Sequence, residues 1–157
     1  MPTYRRETRV RAPFEEVWSF HSGSEGLEAL TPAFMNLRVE KVVGPDGERD
    51  PEVLEAGSEL HASVRPFGVG PRQRWVSVIV EREAEGGSAH FVDEMEEGPF
   101  PFWRHTHQFH DDGAETLVVD SVEYELPVVG SVGPLGDVGF EPMFRYRHRR
   151  TRELLEG

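Results

Sequence analysis

The chain has 157 residues, with no cysteine, a single lysine (Lys41) and no apolar run long enough to cross a membrane. The absence of cysteine excludes disulfides, thiolate metal ligands and thiol nucleophiles. The N-terminal residues Met-Pro-Thr-Tyr-Arg-Arg-Glu lack the apolar segment of a secretion signal. We therefore expect a cytoplasmic protein with no stable membrane insertion.

Positive charge is also scarce, because 17 Lys and Arg residues face 29 Asp and Glu residues, giving a net charge of −12. This excess argues against nucleic acid or an anionic lipid surface as the main partner. An acidic, arginine-rich and lysine-poor chain is similar to proteins of salt-loving archaea, although high-GC coding explains the arginine bias equally well. One basic cluster is present and is typical of a solvated helix face: Arg145, Arg147, His148, Arg149, Arg150 and Arg152.

The length and a hydrophobic content of 37% predict one domain over residues 1–157, with room for a core and a cavity. Weak alternation predicts a first strand at Tyr4–Arg11. Helical spacing after Pro13 predicts a short helix that contains Phe14, Val17, Trp18 and His21. A second short helix is expected from a Ser24 cap to the Pro32 stop.

The rest of the chain reads as strands followed by one long helix. A strand is predicted at Phe34–Val43, a loop at 44–57, and further strands at about 58–67, 72–85, 88–97, 102–111 and 114–126. A glycine-rich stretch (Gly130, Gly133, Gly136 and Gly139) leads to a helix ending near Leu155. This order predicts an α+β fold in which a curved antiparallel sheet wraps one helix.

Two hairpin signals, Gly86-Gly87 and Asp112-Gly113, set the predicted pairing of the strands. Counting outward from the first turn places Val80 opposite Asp93 and Val78 opposite Met95. Counting from the second turn pairs His105 with Asp120 and His107 with Val118. Since directly opposed residues share a sheet face, these turns place both histidines on the apolar face.

The predicted inner face therefore combines titratable and apolar groups. Arg74 joins it because it shares the parity of Val76, and Arg147 joins it from the apolar arc of the last helix. The residues of this arc are Phe140, Met143, Phe144, Arg147, Thr151, Leu154 and Leu155. Such a mixture is typical of a lined cavity more than of a solid core. The candidate binding residues are Arg74, Asp93, Met95, Trp103, His105, His107, Phe109, Asp120, Tyr124, Phe140, Phe144 and Arg147.

The His105–Asp120 pair has three interpretations from sequence. It is a structural hydrogen bond that offsets the burial of an imidazole, or an acid–base pair in which the aspartate fixes the tautomer. The third is a metal site, since His105-x-His107 places two imidazoles on one face, but this spacing is common by chance and we expect no metal or cofactor. A nucleophilic triad is not expected, because no serine is predicted beside a histidine on this face.

Several segments together resemble the START-like or Bet v 1-like superfamily (SRPBCC), in its polyketide cyclase/dehydrase-like branch. They are Thr8-Arg-Val-Arg-Ala-Pro-Phe-Glu-Glu-Val-Trp18, Phe91-Val-Asp-Glu-Met95, Gly98-Pro-Phe100 with Trp103-Arg-His-Thr-His107, and Asp120-Ser-Val-Glu-Tyr-Glu-Leu-Pro127. The resemblance implies a helix-grip fold: seven antiparallel strands around a long C-terminal helix, two short helices between strands 1 and 2, and a deep cavity for hydrophobic ligands.

Three functions remain open on this basis. The first is binding or transport of a hydrophobic small molecule, such as a lipid, quinone or polyketide, whose polar end meets His, Asp and Arg side chains. The second is a cyclase, dehydratase or isomerase in which His105 and Asp120 are catalytic. The third is a ligand-sensing regulator that binds a partner protein. The expected oligomeric state is a monomer or weak dimer, with no nucleic-acid partner.

Overall fold

The computed structural model describes residues 2–125 and 133–156, with side chains from Phe140 onward in the second range. Seven antiparallel strands form one sheet in the order β1-β7-β6-β5-β4-β3-β2, and a long helix follows the last strand. Two short helices lie between β1 and β2. This arrangement confirms the helix-grip fold.

The elements follow the predicted order. The strands are β1 Thr3–Val10, β2 Arg38–Val43, β3 Glu59–Val64, β4 Gln73–Glu85, β5 Ser88–Glu97, β6 Phe102–Asp112 and β7 Glu115–Glu125. The helices are α1 Phe14–His21, α2 Ser24–Ala29 and α3 Gly133–Leu155. Of the glycine-rich stretch, Gly130 lies outside the described residues, whereas Gly133 already begins α3.

Two predicted boundaries between α1 and β2 were wrong. Gly23, not Ser24, is the N-terminal capping residue of α2, and no side chain caps this helix. The strand predicted from Phe34 begins only at Arg38, because Ala33–Met35 form a single 3-10 turn after Pro32. Asn36 then adopts a left-handed conformation (φ 51°), which ends that turn before the strand begins.

The predicted register of β4 against β5 was also wrong beyond its first residues. Glu85 pairs with Ser88 as expected, but a bulge between Ile79 and Glu81 shifts the ladder by one residue. Ile79 rather than Val80 therefore lies opposite Asp93, and Val80 is 41% exposed. A one-residue slip exchanges the two faces of a strand, so the bulge turns Val80 outward and Ile79 into the core.

Because of this bulge, truncating two adjacent residues should destabilise the protein by very different amounts. Ile79→Ala is expected to lower the free energy of unfolding by at least about 2 kcal/mol, because it opens a cavity in the core. Val80→Ala is expected to cost less than about 0.5 kcal/mol, because the side chain already meets water. Urea unfolding of the two variants checks this, and equal losses would contradict the bulged register.

The β6–β7 hairpin turns one residue later than predicted. Asp112 pairs with Glu115, and the two-residue turn is Gly113-Ala114, where Gly113 has a positive φ of 76°. The Asp111 side chain accepts a hydrogen bond from the Gly113 N–H (3.1 Å) and fixes this turn. The pairing moves by two residues, which preserves the faces: His107 lies opposite Asp120, and His105 lies opposite Val122.

Helix α3 covers the sheet with a stripe at helical spacing. Phe144, His148 and Thr151 are buried at positions i, i+4 and i+7. The arc predicted for this helix contained Phe144 and Thr151 but also Leu154, which is exposed. Burial of His148 corrects the interpretation of the C-terminal basic cluster as a wholly solvated face.

Candidate functional site

Four elements bring five titratable side chains together inside the fold. Alternation along β6 places His105 and His107 on the inner face, with Asp93 on β5 and Asp120 on β7 beside them. Helix α3, which covers this face of the sheet, contributes His148. We call these five residues the His–Asp network; four of them are buried, and the side chain of Asp93 is 15% exposed.

Each carboxylate of the network accepts short hydrogen bonds from imidazole nitrogens. Asp120 accepts one from His105 Nε2 at 2.7 Å and a second from His148 Nε2 at 2.6 Å. Asp93 accepts one from His107 Nε2 at 2.7 Å and a longer one from the Ser77 hydroxyl at 3.3 Å. Because an ionised carboxylate only accepts, all three imidazoles carry a proton on Nε2.

The two halves of the network are in contact. The rings of His105 and His107 stack with centroids 3.6 Å apart. His107 Nδ1 lies 3.5 Å from Asp120, and His105 Nδ1 lies 3.8 Å from Asp93. Each of the two carboxylates therefore faces both imidazoles.

Both carboxylates remain ionised despite their burial. Burial alone would raise the pKa of Asp120, but the hydrogen bonds from His105 and His148 outweigh it and hold that pKa well below its usual range. Burial acts in the same way on Asp93, where the hydrogen bond from His107 again lowers the pKa. The interior thus holds two negative charges that depend on imidazole donors.

Two histidines near these carboxylates, His107 and His21, favour the neutral form. Burial lowers the pKa of His107 to about 4, with the neighbouring His105 adding to the effect. Burial also lowers the pKa of His21 to about 4; its ring lies 4.8 Å from Phe109 and its Nδ1 bonds to the Val17 carbonyl. Near neutral pH the site therefore combines charged carboxylates with an uncharged His107.

Sequence reasoning missed His148, the fifth member of the network. The residue is 2% exposed, and its Nδ1 has no hydrogen-bond partner among the described residues. A signal for its burial was present, since His148 lies four residues after Phe144 and three before Thr151. The surrounding arginines concealed this spacing.

An aromatic cluster borders the network on one side. His105 contacts Phe144 at 5.3 Å and Trp103 at 6.2 Å, both edge to face. Trp103 packs in turn on Phe140 at 5.5 Å and on Phe100 at 5.1 Å. Phe100, Trp103 and Phe140 are only half-buried. The members of the cluster are Tyr4, Phe100, Trp103, Tyr124, Phe140 and Phe144.

The remaining candidate residues are placed differently. Phe109 is fully buried in the core beside Trp18, and Met95 is half-buried opposite Ser77. The prediction for Arg74 was wrong, because its side chain is 71% exposed and pairs with Glu40 at 3.3 Å. The two bulges of β4 shift the register in opposite directions and cancel, so Val76 pairs with Glu97 as the count from the turn requires. Arg74 is exposed because it is the second residue of β4 and lies at the end of the strand.

Arg147 lies on the covered side of α3, as its place in the apolar arc predicted. Its Nε is buried without a hydrogen-bond partner among the described residues, and its guanidinium lies 5.9 Å from the Phe144 ring. It does not contact the network carboxylates through any described ion pair. The two unpaired atoms, Arg147 Nε and His148 Nδ1, therefore belong to consecutive residues of the helix.

Part of the network has the spacing of a metal site. Asp93, His105 and His107 each offer one ligand atom, and these atoms lie within 4.8 Å of one another. The Nε2 atoms of both imidazoles are instead used in hydrogen bonds to carboxylates. The donor set suits a borderline cation such as zinc, but the Nε2 atom of each imidazole is already used in a hydrogen bond.

Two clefts lined by described residues lie on the surface, away from the network. One of about 620 Å³ is bordered by Arg11 and the end of α3, and the other, of about 560 Å³, lies along the β4–β5 hairpin. The enclosed cavity expected from the sequence stays a prediction.

The fold and the polar interior define a helix-grip domain of the START-like, Bet v 1-like class. A family model described as polyketide cyclase / dehydrase and lipid transport matches residues 10–147, and the chain belongs to this family. A search of curated proteins gave no match. No described helix is long and apolar enough to cross a membrane.

Solved structures support the fold at low sequence identity. A START superfamily protein from Mycobacterium smegmatis is 11% identical, with a TM-score of 0.66 over 98% of this chain and 97% of that one. Norcoclaurine synthase from Thalictrum flavum, solved with dopamine and hydroxybenzaldehyde, is 17% identical, with a TM-score of 0.62 over 98% and 85%. A nucleoside-diphosphate sugar epimerase from Corynebacterium glutamicum is 24% identical, with a TM-score of 0.67 over 99% of this chain and 29% of that one.

Proposed function

We propose that the protein binds a mostly apolar small molecule between the aromatic cluster and the His–Asp network, and acts as a cytoplasmic carrier of that molecule. The unpaired, buried Nδ1 of His148 carries this proposal. A buried polar atom without a partner costs free energy, and a ligand that supplies the missing hydrogen bond removes this cost. The family description, which includes lipid transport, supports the same class of function.

The chemistry of the unpaired atoms defines the polar end of the ligand. When His148 is neutral and donates from Nε2 to Asp120, its Nδ1 is an acceptor and takes a hydroxyl donor from the ligand. Arg147 Nε is a donor and takes an oxygen acceptor, such as a carbonyl. A free carboxylate end is disfavoured because Asp93 and Asp120 already place negative charge there. A phenol or hydroxy-ketone on an apolar body fits these groups.

The half-buried rings supply the apolar part of the site. Phe100, Trp103 and Phe140 contact one another edge to face or tilted at 5.1–6.1 Å, and they leave part of their surface uncovered. Aromatic surface of this kind binds apolar molecules mainly by removing area from water. The same rings adjoin His105, so one ligand can reach both parts of the site.

Two simple probes test this proposal: naphthalene, and 1-naphthol, which adds one hydroxyl to the same rings. The wild-type protein is expected to bind 1-naphthol about fivefold more tightly, because the hydroxyl donates to His148. His148→Gln retains an amide donor for Asp120 and should lose this preference. Phe140→Ala should weaken the binding of both probes about fivefold to tenfold, because it removes an aromatic side chain from the site. Fluorescence titration measures the six affinities of the three proteins for the two probes.

The matched control is His61→Gln on β3, whose imidazole is 33% exposed and pairs with Glu59. It should leave both affinities unchanged. Equal affinity of the wild-type protein for the two probes would overturn the assignment of the polar end. Failure of both probes to bind at millimolar concentration would overturn the binding site as a whole.

An acid–base enzyme is the second candidate, favoured by the tautomer of His105. Asp120 fixes the proton of His105 on Nε2, which leaves Nδ1 as a base at the inner face. Native mass spectrometry of the purified wild-type protein and of His105→Ala separates the two functions. If the protein is a carrier, the wild type and His105→Ala release the same small molecule. If it is a dehydratase, His105→Ala releases the substrate, and the wild type releases a product that is one water lighter.

A further inference from the structure

The loop between β3 and β4 presents apolar side chains directly to solvent. Its sequence, Arg65-Pro-Phe-Gly-Val-Gly-Pro-Arg72, encloses two apolar residues between prolines and arginines. Phe67 and Val69 are both 74% exposed, and Phe34, from the turn before β2, is 46% exposed. These three residues form what we call the apolar tip. Their clustering sets the tip apart from the isolated apolar residues common on protein surfaces.

Hydrogen bonds between the two segments hold the apolar tip in a fixed shape. The Arg65 N–H donates to the Met35 carbonyl at 2.8 Å, and the Asn36 amide donates to the Arg65 carbonyl at 3.0 Å. Arg65 Nε donates to the Gly70 carbonyl at 2.8 Å and closes the loop on itself. The rings of Phe34 and Phe67 stack at 4.8 Å with 13° between their planes.

Phe67 is also held in an unfavourable backbone conformation. Its φ of 57° lies in the left-handed region, which is unusual for a bulky residue and is retained only where surrounding structure enforces it. The neighbouring Gly68 and Gly70 have positive φ angles at no such cost. The loop therefore stabilises an exposed phenyl ring that folding alone does not require.

Four arginines lie on the strands and loop next to the apolar tip although the chain as a whole is acidic, and one of them, Arg74, pairs with Glu40. Arg38 and Arg74 are both cross-strand neighbours of Ser63, and Arg72 donates to the Ser63 carbonyl at 3.1 Å. Arg65 and Arg72 are the two ends of the loop itself. Partial burial and repulsion from Arg38, Arg65 and Arg74 lower the pKa of Arg72, with Glu40 acting in the opposite direction.

We propose that the apolar tip and its four arginines form a docking surface for an anionic lipid membrane. In this arrangement Phe67 and Val69 enter the interfacial region, and the guanidiniums of Arg38, Arg65, Arg72 and Arg74 contact lipid phosphates. Apolar area and positive charge on one small surface are the two contributions that bind proteins peripherally to such membranes. This proposal departs from the expectation drawn from the net charge, which is a sum over the chain and does not describe this surface.

The charges favour a membrane over the other occupants of such a surface. A symmetric contact with a second copy would bring the same four arginines against each other, which is repulsive. A single-stranded nucleic acid needs free aromatic faces for stacking, but Phe34 and Phe67 stack on each other and Val69 offers no such face. Neither argument depends on the identity of the internal ligand, so this proposal and the proposed function can fail separately.

Co-sedimentation with lipid vesicles tests the docking surface. At low salt the full-length protein is expected to bind phosphatidylcholine vesicles that contain about 30 mol% phosphatidylglycerol at least tenfold more tightly than vesicles of phosphatidylcholine alone. Arg38→Gln with Arg74→Gln should weaken this binding roughly 30-fold, since each basic residue at the surface contributes about fivefold. Phe67→Asn with Val69→Ser should weaken it about tenfold or more, and asparagine tolerates the positive φ at residue 67.

The matched control is Arg5→Gln with Arg145→Gln, two exposed arginines on β1 and α3. It changes the net charge by the same amount and should leave vesicle binding within twofold of the wild type. Thermal melting shows whether each variant folds, and 1-naphthol binding shows whether the internal site remains intact.

Equal binding to the two vesicle types, or equal losses in the tip and control variants, would overturn the proposal. It is also overturned if the wild-type protein does not sediment with either vesicle. The competing occupants are tested in parallel by gel shift with a single-stranded oligonucleotide and by sedimentation velocity. A shift that the tip variants abolish, or a dimer that they dissociate, would assign this surface to nucleic acid or to a second copy instead.

Discussion

Replacing Asp120 with asparagine is expected to lower the free energy of unfolding by about 3–5 kcal/mol. This one carboxylate accepts hydrogen bonds from both His105 and His148. Both histidines are buried, and Asp120 is the acceptor for their Nε2–H groups. An asparagine side chain has one acceptor oxygen, so one of the two imidazole donors would lose its partner inside the protein. Urea unfolding at pH 7 measures the loss.

Two comparisons show whether the loss comes from the network. Asp93→Asn should cost less, about 2 kcal/mol, because Asp93 holds one imidazole and one hydroxyl and is partly exposed. Asp112→Asn removes an exposed ion pair with Arg9 and should cost less than about 1 kcal/mol. If Asp120→Asn costs no more than Asp112→Asn, the network does not support the fold.

Stability is expected to fall steeply as the pH drops from about 6.5 to about 4. Burial lowers the pKa of His107 to about 4, so in this range the unfolded chain binds a proton that the folded protein does not. Stability therefore decreases as pH decreases, by on the order of 2–3 kcal/mol for His107 alone. His21 acts in the same direction.

The carboxylates add a second loss at lower pH. The pKa values of Asp93 and Asp120 are lowered in the folded protein, so their contribution is present above the unfolded value and is lost as pH falls through the folded values. Urea unfolding at half-unit steps from pH 7 to pH 3 follows both losses. The two windows are separated because the histidine titration precedes that of the aspartates.

His107→Gln provides the test of the first window, because it removes the titrating group and retains an amide that can donate to Asp93. Its stability should change less between pH 6.5 and pH 4 than that of the wild type. His61→Gln, which removes a partly exposed imidazole, should keep the wild-type slope. A wild-type slope in His107→Gln would show that His107 is not held neutral by burial.

The order of elements was predictable because it rests on local signals. Prolines and glycines between the periodic segments marked the turns, and the two hairpin signals set the approximate strand positions. Bulges were not predictable in the same way, since no local pattern distinguishes Val80 from Ile79 in a run of apolar residues. The register error at β7 had no consequence for the faces, because it was a shift of two residues.

The predictions for the candidate site were right where they depended on local pattern and wrong where they depended on the tertiary structure. Asp93, His105, His107 and Asp120 were predicted to share a face, and they do, because strand alternation is a local property. Arg74 was misplaced, because parity along a strand does not show where the strand ends and solvent begins. His148 was missed, because its burial depends on which side of α3 meets the sheet.

The sequence by itself determined the α+β order, the family and the inner face that carries the paired imidazoles and carboxylates. The tertiary structure decided which imidazole bonds to which carboxylate, brought His148 onto Asp120, and gathered the apolar tip with four arginines from two strands and a loop. The physical reason is the distance along the chain over which each effect acts. Alternation and turn chemistry act over a few residues, whereas side-chain partners across a curved sheet depend on the bulges, the twist and the packing of the whole chain.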